Sequence, residues 1–517
     1  MPHLRLLLLL SLLSSSLSQL SSPSAVLIDC GAFAPSVIDG RRWLPDEGFV
    51  FAGTPKNITA AGNLLDRTLT TVRSFPLTGG LRRKFCYVVG VSRGWKYMIR
   101  TTYFYGEVNG VNSPPVFDQI VDGTVWSVVN TTADYADGLA SYYEGVFVAQ
   151  GKSMSVCVAG NSYTTSDPFI SALEIVRLDG SLYNSTDFTG FGLRLVARHA
   201  FGYSGSLIRS PDDQFDRFWE PYAFNSTIPN NRKVQASGFW NLPPPRIFNT
   251  GLKSTQLQPL KFIWPPTALP KSTYYIALYF AHDSDSLAEG SRIIDITLNG
   301  ITYYRSLNVT PAGAVVFSTR WPLDGTTMLT LNPSRESTLG PLINGGEMFE
   351  LIPLEGKALV RDATSLNAIK NSLQNPPVDW NGDPCLPRQY SWTGVTCSEG
   401  SRIRVVSLNL TNMGLSGSLA PEVANLTALS AIWLGNNSLS GPVPDLSSLK
   451  LLESLHLENN RFTGNIPPSF GEMQNLRELF LQNNNLTGQI PSNLLKKPGL
   501  DLRTSGNPLL ALPPPPS

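Results

Sequence analysis

The chain has 517 residues, with 40 Lys and Arg against 39 Asp and Glu. That balance gives no electrostatic case for a nucleic acid or an anionic membrane surface as partner. Charged residues make up only 15%, while 43 Gly and 40 Pro punctuate the sequence, which suits a turn-rich β protein of two or three domains.

Residues 1–24 read as a secretory signal peptide. His3 and Arg5 open it, Leu6 to Leu13 forms its apolar core, and small residues follow. A membrane span needs ~20 apolar residues, and neither this run nor any later one reaches that length. N-x-S/T sequons stand at Asn57, Asn130, Asn184, Asn225, Asn308, Asn409, Asn425, Asn436 and Asn485. Behind a signal peptide they predict a glycosylated exterior. In an oxidising compartment cysteines pair where geometry permits, and the five here (Cys30, Cys86, Cys157, Cys385 and Cys397) leave one over. With no C-x-x-C and four histidines, neither a metal site nor a cofactor is expected.

From Ala25 to about Pro353 short apolar and aromatic runs alternate with Gly, Asn, Asp and Pro. Tyr97 to Tyr105, Gly145 to Ala149, Tyr274 to Phe280 and Ile293 to Leu298 are strands on this pattern. The stretch is too long for one sandwich, so two are predicted. An internal echo agrees: YMIRTTYFYG at Tyr97 and YYIALYFAH at Tyr274 are each followed by a loop and a partner strand. The expected modules are 25–192 and 193–355.

Several of these motifs carry a resemblance. IDCG at Ile28, TVRSFP at Thr71, Cys86-Tyr87 and YMIRTTYFYG resemble plant malectin-like domains. LRLVARHAFG at Leu193, with IRSPDDQFDRFW at Ile208, is similar to the link into a second such module. The resemblance implies a mainly β fold with tandem malectin-like β-sandwiches, as in ectodomains of plant receptor-like kinases and related secreted proteins.

Residues 356–398 change character. LVRDATSLNAIKNSLQ reads as an amphipathic helix, capped by Asp362 or Thr364 and stopped by Pro376-Pro377. DWNGDPCLPRQYSWTGVTC, Asp379 to Cys397, resembles the cap that opens plant extracellular leucine-rich repeat domains. That likeness implies a disulfide between Cys385 and Cys397. The pairing of Cys30, Cys86 and Cys157 stays open.

Residues 399–510 form a short leucine-rich repeat solenoid. Leu429, Leu452, Leu476 and Leu500 lie 23, 24 and 24 residues apart; the first three open LxxLxL-type strands and the last opens LDL. Asn437, Asn460 and Asn484 fall at the turn after each strand, where a buried amide satisfies backbone groups. Met413 takes that place in the first repeat. Residues 511–517 are a proline-rich tail.

No GxSxG, P-loop or HExxH motif is present, and the chain reads as no enzyme. The malectin-like resemblance points to carbohydrate binding, with Tyr103, Phe104, Tyr105, Tyr279, Phe280 and Asp283 as candidates. Aromatic faces hold the apolar side of a sugar ring and a carboxylate its hydroxyls. On the repeats, the residue between the last two leucines of each strand faces the concave side. That gives Trp433, His456 and Phe480 in one column, with Glu458 and Glu478 beside it, as a candidate protein-binding surface. The predicted function is non-catalytic extracellular recognition of a cell-wall carbohydrate, a secreted peptide, or a receptor kinase or co-receptor. The chain is then secreted to the apoplast or wall. The alternatives are the ectodomain of a truncated single-pass receptor-like protein at the plasma membrane and, further off, an enzyme acting on wall glycans.

Overall fold

The computed structural model describes residues 25–511 apart from 59–66, 78–82, 111–112, 224–226, 230–233, 235–237, 255 and 282–289. The signal-peptide reading at 1–24, the sequon at Asn225, Asp283 and nearly all of the tail lie outside the described residues.

Alternating Val, Ile, Tyr and Phe build pleated surfaces, and they do so in both halves of 25–353. Each half is a sandwich, yet one sheet of eleven strands runs through both. Its order is Ser36–Ile38, Arg41–Pro45, Ala25–Asp29, Ala172–Arg177, Lys96–Tyr103, Ser141–Val148, Phe191–Phe201, Gly345–Pro353, Leu269–Phe280 and Ala314–Gly325. Glu220–Tyr222 pairs off this path with Phe191–Phe201. The halves join where Gly145 and Val146 pair with Arg194 and Leu193. The expected boundary at 192/193 therefore falls inside a strand rather than in a linker.

In the first half, Tyr97, Ile99 and Tyr103 point inward against Phe85, Phe117, Trp126 and Val156. The second half buries Tyr274, Ile276, Leu278 and Phe280 against the Leu260–Ile263, Met328–Pro333 and Ile293–Leu298 strands. Met98 and Val146 share a third cluster with Trp219, Tyr279 and Phe349, which welds the halves together.

A buried charge network crosses the same weld. Arg100 reaches Glu144 at 2.8 Å, Glu174 at 3.2 Å and Asp216 at 3.3 Å. Arg198 reaches Glu144 at 2.7 Å and Glu347 at 2.8 Å. Arg217 holds Asp213 at 2.9 Å. Burial opposes ionisation of Glu144, but Arg198 and Arg100 outweigh it and hold its pKa below the usual carboxylate value.

Cys86 and Cys157 stand opposite each other on antiparallel strands and are disulfide-bonded, with Cα atoms 3.9 Å apart. Cys30 is the buried free thiol. Cys385 and Cys397 are joined within the cap. There the stacked rings of Trp380 and Trp392, 5.1 Å between centroids, close the end of the repeat core. The linker helix runs Val360–Ser372 with Leu359 at its N-cap, three residues earlier than an Asp362 cap allows. Asp362 turns inside instead and accepts from Arg404 Nε at 2.8 Å and Val405 N at 3.0 Å.

The repeats stack on two sheets of parallel strands, to one of which the cap adds an antiparallel edge strand, Val395–Cys397. The concave one follows Val395–Cys397, Val405–Asn409, Ala431–Trp433, Ser454–His456, Glu478–Phe480 and Asp501–Arg503. Each turn asparagine serves the repeat before it. Asn460 Nδ2 donates to Leu434 O at 2.9 Å and its Oδ1 accepts from Leu439 N at 3.0 Å. Asn437, Asn484 and Asn507 do the same one repeat away. Met413 has no earlier repeat to serve. Asn375 of the preceding segment bonds its turn instead, at Gly414 O and Ser416 N. Asn460→Ala leaves these buried groups unpaired and is expected to cost roughly 1–3 kcal/mol. Urea denaturation of the variant measures that loss, and an unchanged midpoint refutes the ladder's role.

Candidate functional site

The concave face is built by alternation. Ile432, Leu434, Leu455, Leu457, Leu479 and Leu481 enter the core, so the residues between them face out. Parallel pairing sets Asn409, Trp433, His456, Phe480 and Arg503 in one register across five strands. Their rings touch in sequence. Trp433 and His456 have centroids 6.1 Å apart, and His456 stacks on Phe480 at 4.1 Å. The Arg503 guanidinium lies 3.9 Å from the Phe480 centroid. Arg503 was missing from the sequence reading, although the Leu500 and Leu502 alternation places it in the same column.

Carboxylates line the strip. Glu478 accepts from Ser454 Oγ at 2.7 Å and meets His456 Nε2 at 3.0 Å. The Ser454 hydroxyl first, and His456 after it, hold its pKa below the usual value. Asp501 pairs with Arg503 at 2.7 Å, and that bond lowers its pKa too. Glu458 lies folded over Gly435, where an added Cβ would meet its Oε1 at 2.2 Å. Glu458 Oε2, Trp433 Nε1 and Gln482 Oε1 are enclosed and have no hydrogen-bond partner.

The carbohydrate candidates fare differently. Tyr103, Tyr105, Tyr279 and Phe280 are each at most 2% exposed. Tyr103 donates its hydroxyl to Gln119 at 2.9 Å, and Tyr279 donates to Glu347 at 2.6 Å. These four rings are core residues and present no face to a sugar, which corrects the expectation placed on them. Phe104 packs half-buried against the first core. A groove of about 690 Å³ does open in the second half, lined by Phe191, Trp321, Leu323, Asp324 and Glu350, none of them a sequence candidate.

The cap docks on the first sandwich, not on the second that precedes it in sequence. Lys84 Nζ donates to Asp383 O at 2.5 Å and to Leu386 O. Burial lowers its pKa to about 8. The Tyr390 hydroxyl donates to Asp118 at 2.7 Å. Eight sequon asparagines are described, and all are exposed; Asn409 heads the aromatic column and Asn436 borders it. Among the described residues no helix is long and apolar enough to cross a membrane, and no group of three His, Cys, Asp or Glu could hold a metal ion.

Joined sandwiches followed by a capped repeat stack define the class of tandem β-sandwich and leucine-rich repeat ectodomains. The malectin-like domain model matches residues 28–351. Models of the leucine-rich repeat N-terminal domain and the leucine-rich repeat match 360–398, and 451–473 and 475–496. The chain belongs to the malectin-like family. A leucine-rich repeat receptor-like serine/threonine-protein kinase of Arabidopsis thaliana is 31% identical over 425 residues, covering 78% of this chain and 47% of the relative. A receptor-like protein kinase of the same plant is 30% identical over 423 residues, covering 78% and 45%. The chain thus spans about half the length of the curated relatives it matches. The ANXUR2 extracellular domain of Arabidopsis thaliana superposes with a TM-score of 0.53 at 16% identity, covering 63% of this chain and 96% of that one. The plant receptor-like kinase FER superposes with a TM-score of 0.54 at 18% identity, covering 63% and 96%. FER also appears in complex with the plant peptide RALF23 and LLG2, with a TM-score of 0.52 at 18% identity, covering 64% and 96%. At such identities the likeness establishes the fold.

Proposed function

We propose that the chain is the extracellular recognition part of a receptor-like protein, that it performs no catalysis, and that it binds a secreted peptide along the concave face of its repeats. The observation that carries this reading is the Trp433, His456, Phe480 and Arg503 column, four side chains held out of the core on successive strands, with His456 stacked on Phe480 and Arg503 over the same ring. Aromatics in a row on a rigid sheet suit an extended polypeptide, and rigid aromatic anchors concentrate binding energy. The kinase relatives support the receptor setting at the cell surface. The solved assembly of the plant peptide RALF23 with FER and LLG2 supports a peptide, together with a further bound component, as the kinds of partner.

The test is biolayer interferometry of the glycosylated protein against a panel of synthetic secreted plant peptides, RALF23 among them. At least one peptide binds the wild type, and Trp433→Ala/Phe480→Ala weakens it by about 30-fold or more at an unchanged melting temperature. A folded double variant that binds every retained peptide as well as the wild type overturns the reading, as does a panel with no binder.

A further inference from the structure

We infer that the concave strip carries a subsite for an arginine side chain of an extended peptide, centred on Glu458. The inference rests on the recognition reading above and adds the chemistry of the ligand. Glu458, Glu478 and Asp501 are the carboxylates of the strip. Glu478 is met by Ser454 and His456, and Asp501 by Arg503. Glu458 feels the Arg503 charge only through space, and its Oε2 is enclosed without a donor. An enclosed carboxylate oxygen without a donor is costly, and a ligand donor would relieve it.

Two further orphans lie around it. Gln482 follows Leu481 as Glu458 follows Leu457, so the two occupy one column on neighbouring strands, about 4.8 Å apart in a sheet. Gln482 Oε1 likewise has no donor. Both missing partners are therefore donors, set side by side. Trp433 Nε1, on the repeat whose Gly435 lies under the Glu458 carboxylate, lacks an acceptor. A peptide supplies both kinds at once: a cationic side chain for Glu458 and Gln482, and a backbone carbonyl for Trp433.

A guanidinium fits better than an ammonium. It presents several donors in one plane, so it can serve two acceptors while lying flat on a ring. The strip already makes this contact at its own end, where Arg503 covers Phe480. Gly435 completes the subsite from below. Any side chain there would enter the space that the Glu458 carboxylate occupies, so the absence of a Cβ is what lets Glu458 lie down over Gly435.

The experiment starts from a random-sequence 12-residue peptide display library selected on the wild-type protein. Retained sequences are synthesised with each arginine exchanged for citrulline or for lysine. We expect one arginine position at which citrulline weakens binding by about tenfold or more. Glu458→Gln should weaken the parent peptide by a similar factor and leave the citrulline peptide unaffected, which is the coupling a direct contact requires. Gly435→Ala, which displaces the carboxylate without removing it, should act in the same direction. If citrulline is tolerated at every position, or if its effect is undiminished in Glu458→Gln, the subsite is refuted and the peptide reading of the concave face is left standing. Lysine retaining full affinity refutes the guanidinium assignment. Retained peptides that bind Trp433→Ala/Phe480→Ala as well as the wild type refute the recognition reading itself. Melting temperatures of all variants separate these outcomes from misfolding.

Discussion

Glu347→Gln is expected to lower the free energy of unfolding of the sandwich region by about 3–5 kcal/mol, the cost of leaving a buried charge uncompensated. Glu347 is fully buried, and it accepts from Arg198 Nε at 2.8 Å, Tyr183 Oη at 2.7 Å and Tyr279 Oη at 2.6 Å. Five arginines (Arg41, Arg100, Arg198, Arg209 and Arg217) face five carboxylates (Glu144, Glu174, Asp213, Asp216 and Glu347) around the weld. The glutamine keeps the shape and part of the hydrogen bonding. What it removes is the charge, which leaves Arg198 to share Glu144 with Arg100. Arg246→Gln is the comparison. Its ion pair with Asp212 is about 44% exposed on the arginine side, and such pairs are worth about 0–1 kcal/mol. Urea denaturation followed by tryptophan fluorescence measures both. Equal effects of the two substitutions would show that the network adds nothing beyond surface charge.

The network also marks where a reading of the sequence stops. The repeats were legible because their information is local: a fixed period sets the strand leucines, such as Leu455 and Leu479, inside and the Trp433-type positions between them outside. The second-half candidates failed on the same rule. Tyr279 and Phe280 lie on a strand with both faces covered, Tyr279 toward Trp219 and Phe280 toward Trp264. Alternation then decides which core a ring enters, not whether water reaches it. Tyr103 and Tyr105 share one parity, and both point into the first core. Cys86 and Cys157 were ambiguous for a related reason. Their pairing depends on the register of two antiparallel strands, and nothing near either cysteine encodes that register. In the concave strip the sequence displays the aromatic column, but the unpaired atoms of Glu458, Gln482 and Trp433 are visible only in three dimensions.

The contact that local pattern could least have revealed leads to the other large effect. Tyr390→Ala is expected to destabilise the protein by about 3–5 kcal/mol, as truncation of a large buried ring does. It is also expected to split a joint thermal transition into separate ones for the repeats and the sandwiches. Tyr390 belongs to the cap, yet its ring packs in a small cluster with Ile120, Ala159 and the Cys86–Cys157 disulfide of the first sandwich. Its hydroxyl donates to Asp118, a contact spanning 272 residues of sequence. Around it, Lys84 holds two carbonyls of the cap and Lys357 pairs with Asp122 at 2.8 Å. Removing the ring opens a cavity at the centre of this seam and takes the Tyr390 donor from Asp118 Oδ2, while Asn161 still holds Oδ1. Tyr390→Phe keeps the ring and loses the hydroxyl, so a loss nearer 1 kcal/mol is expected. Differential scanning calorimetry distinguishes the cases. A single transition shifted alike in both variants would mean that the seam does not couple the domains. The docked cap also fixes the direction in which the Trp433 to Arg503 column faces relative to the sandwiches, so on the proposed reading a partner touching both meets one preformed surface.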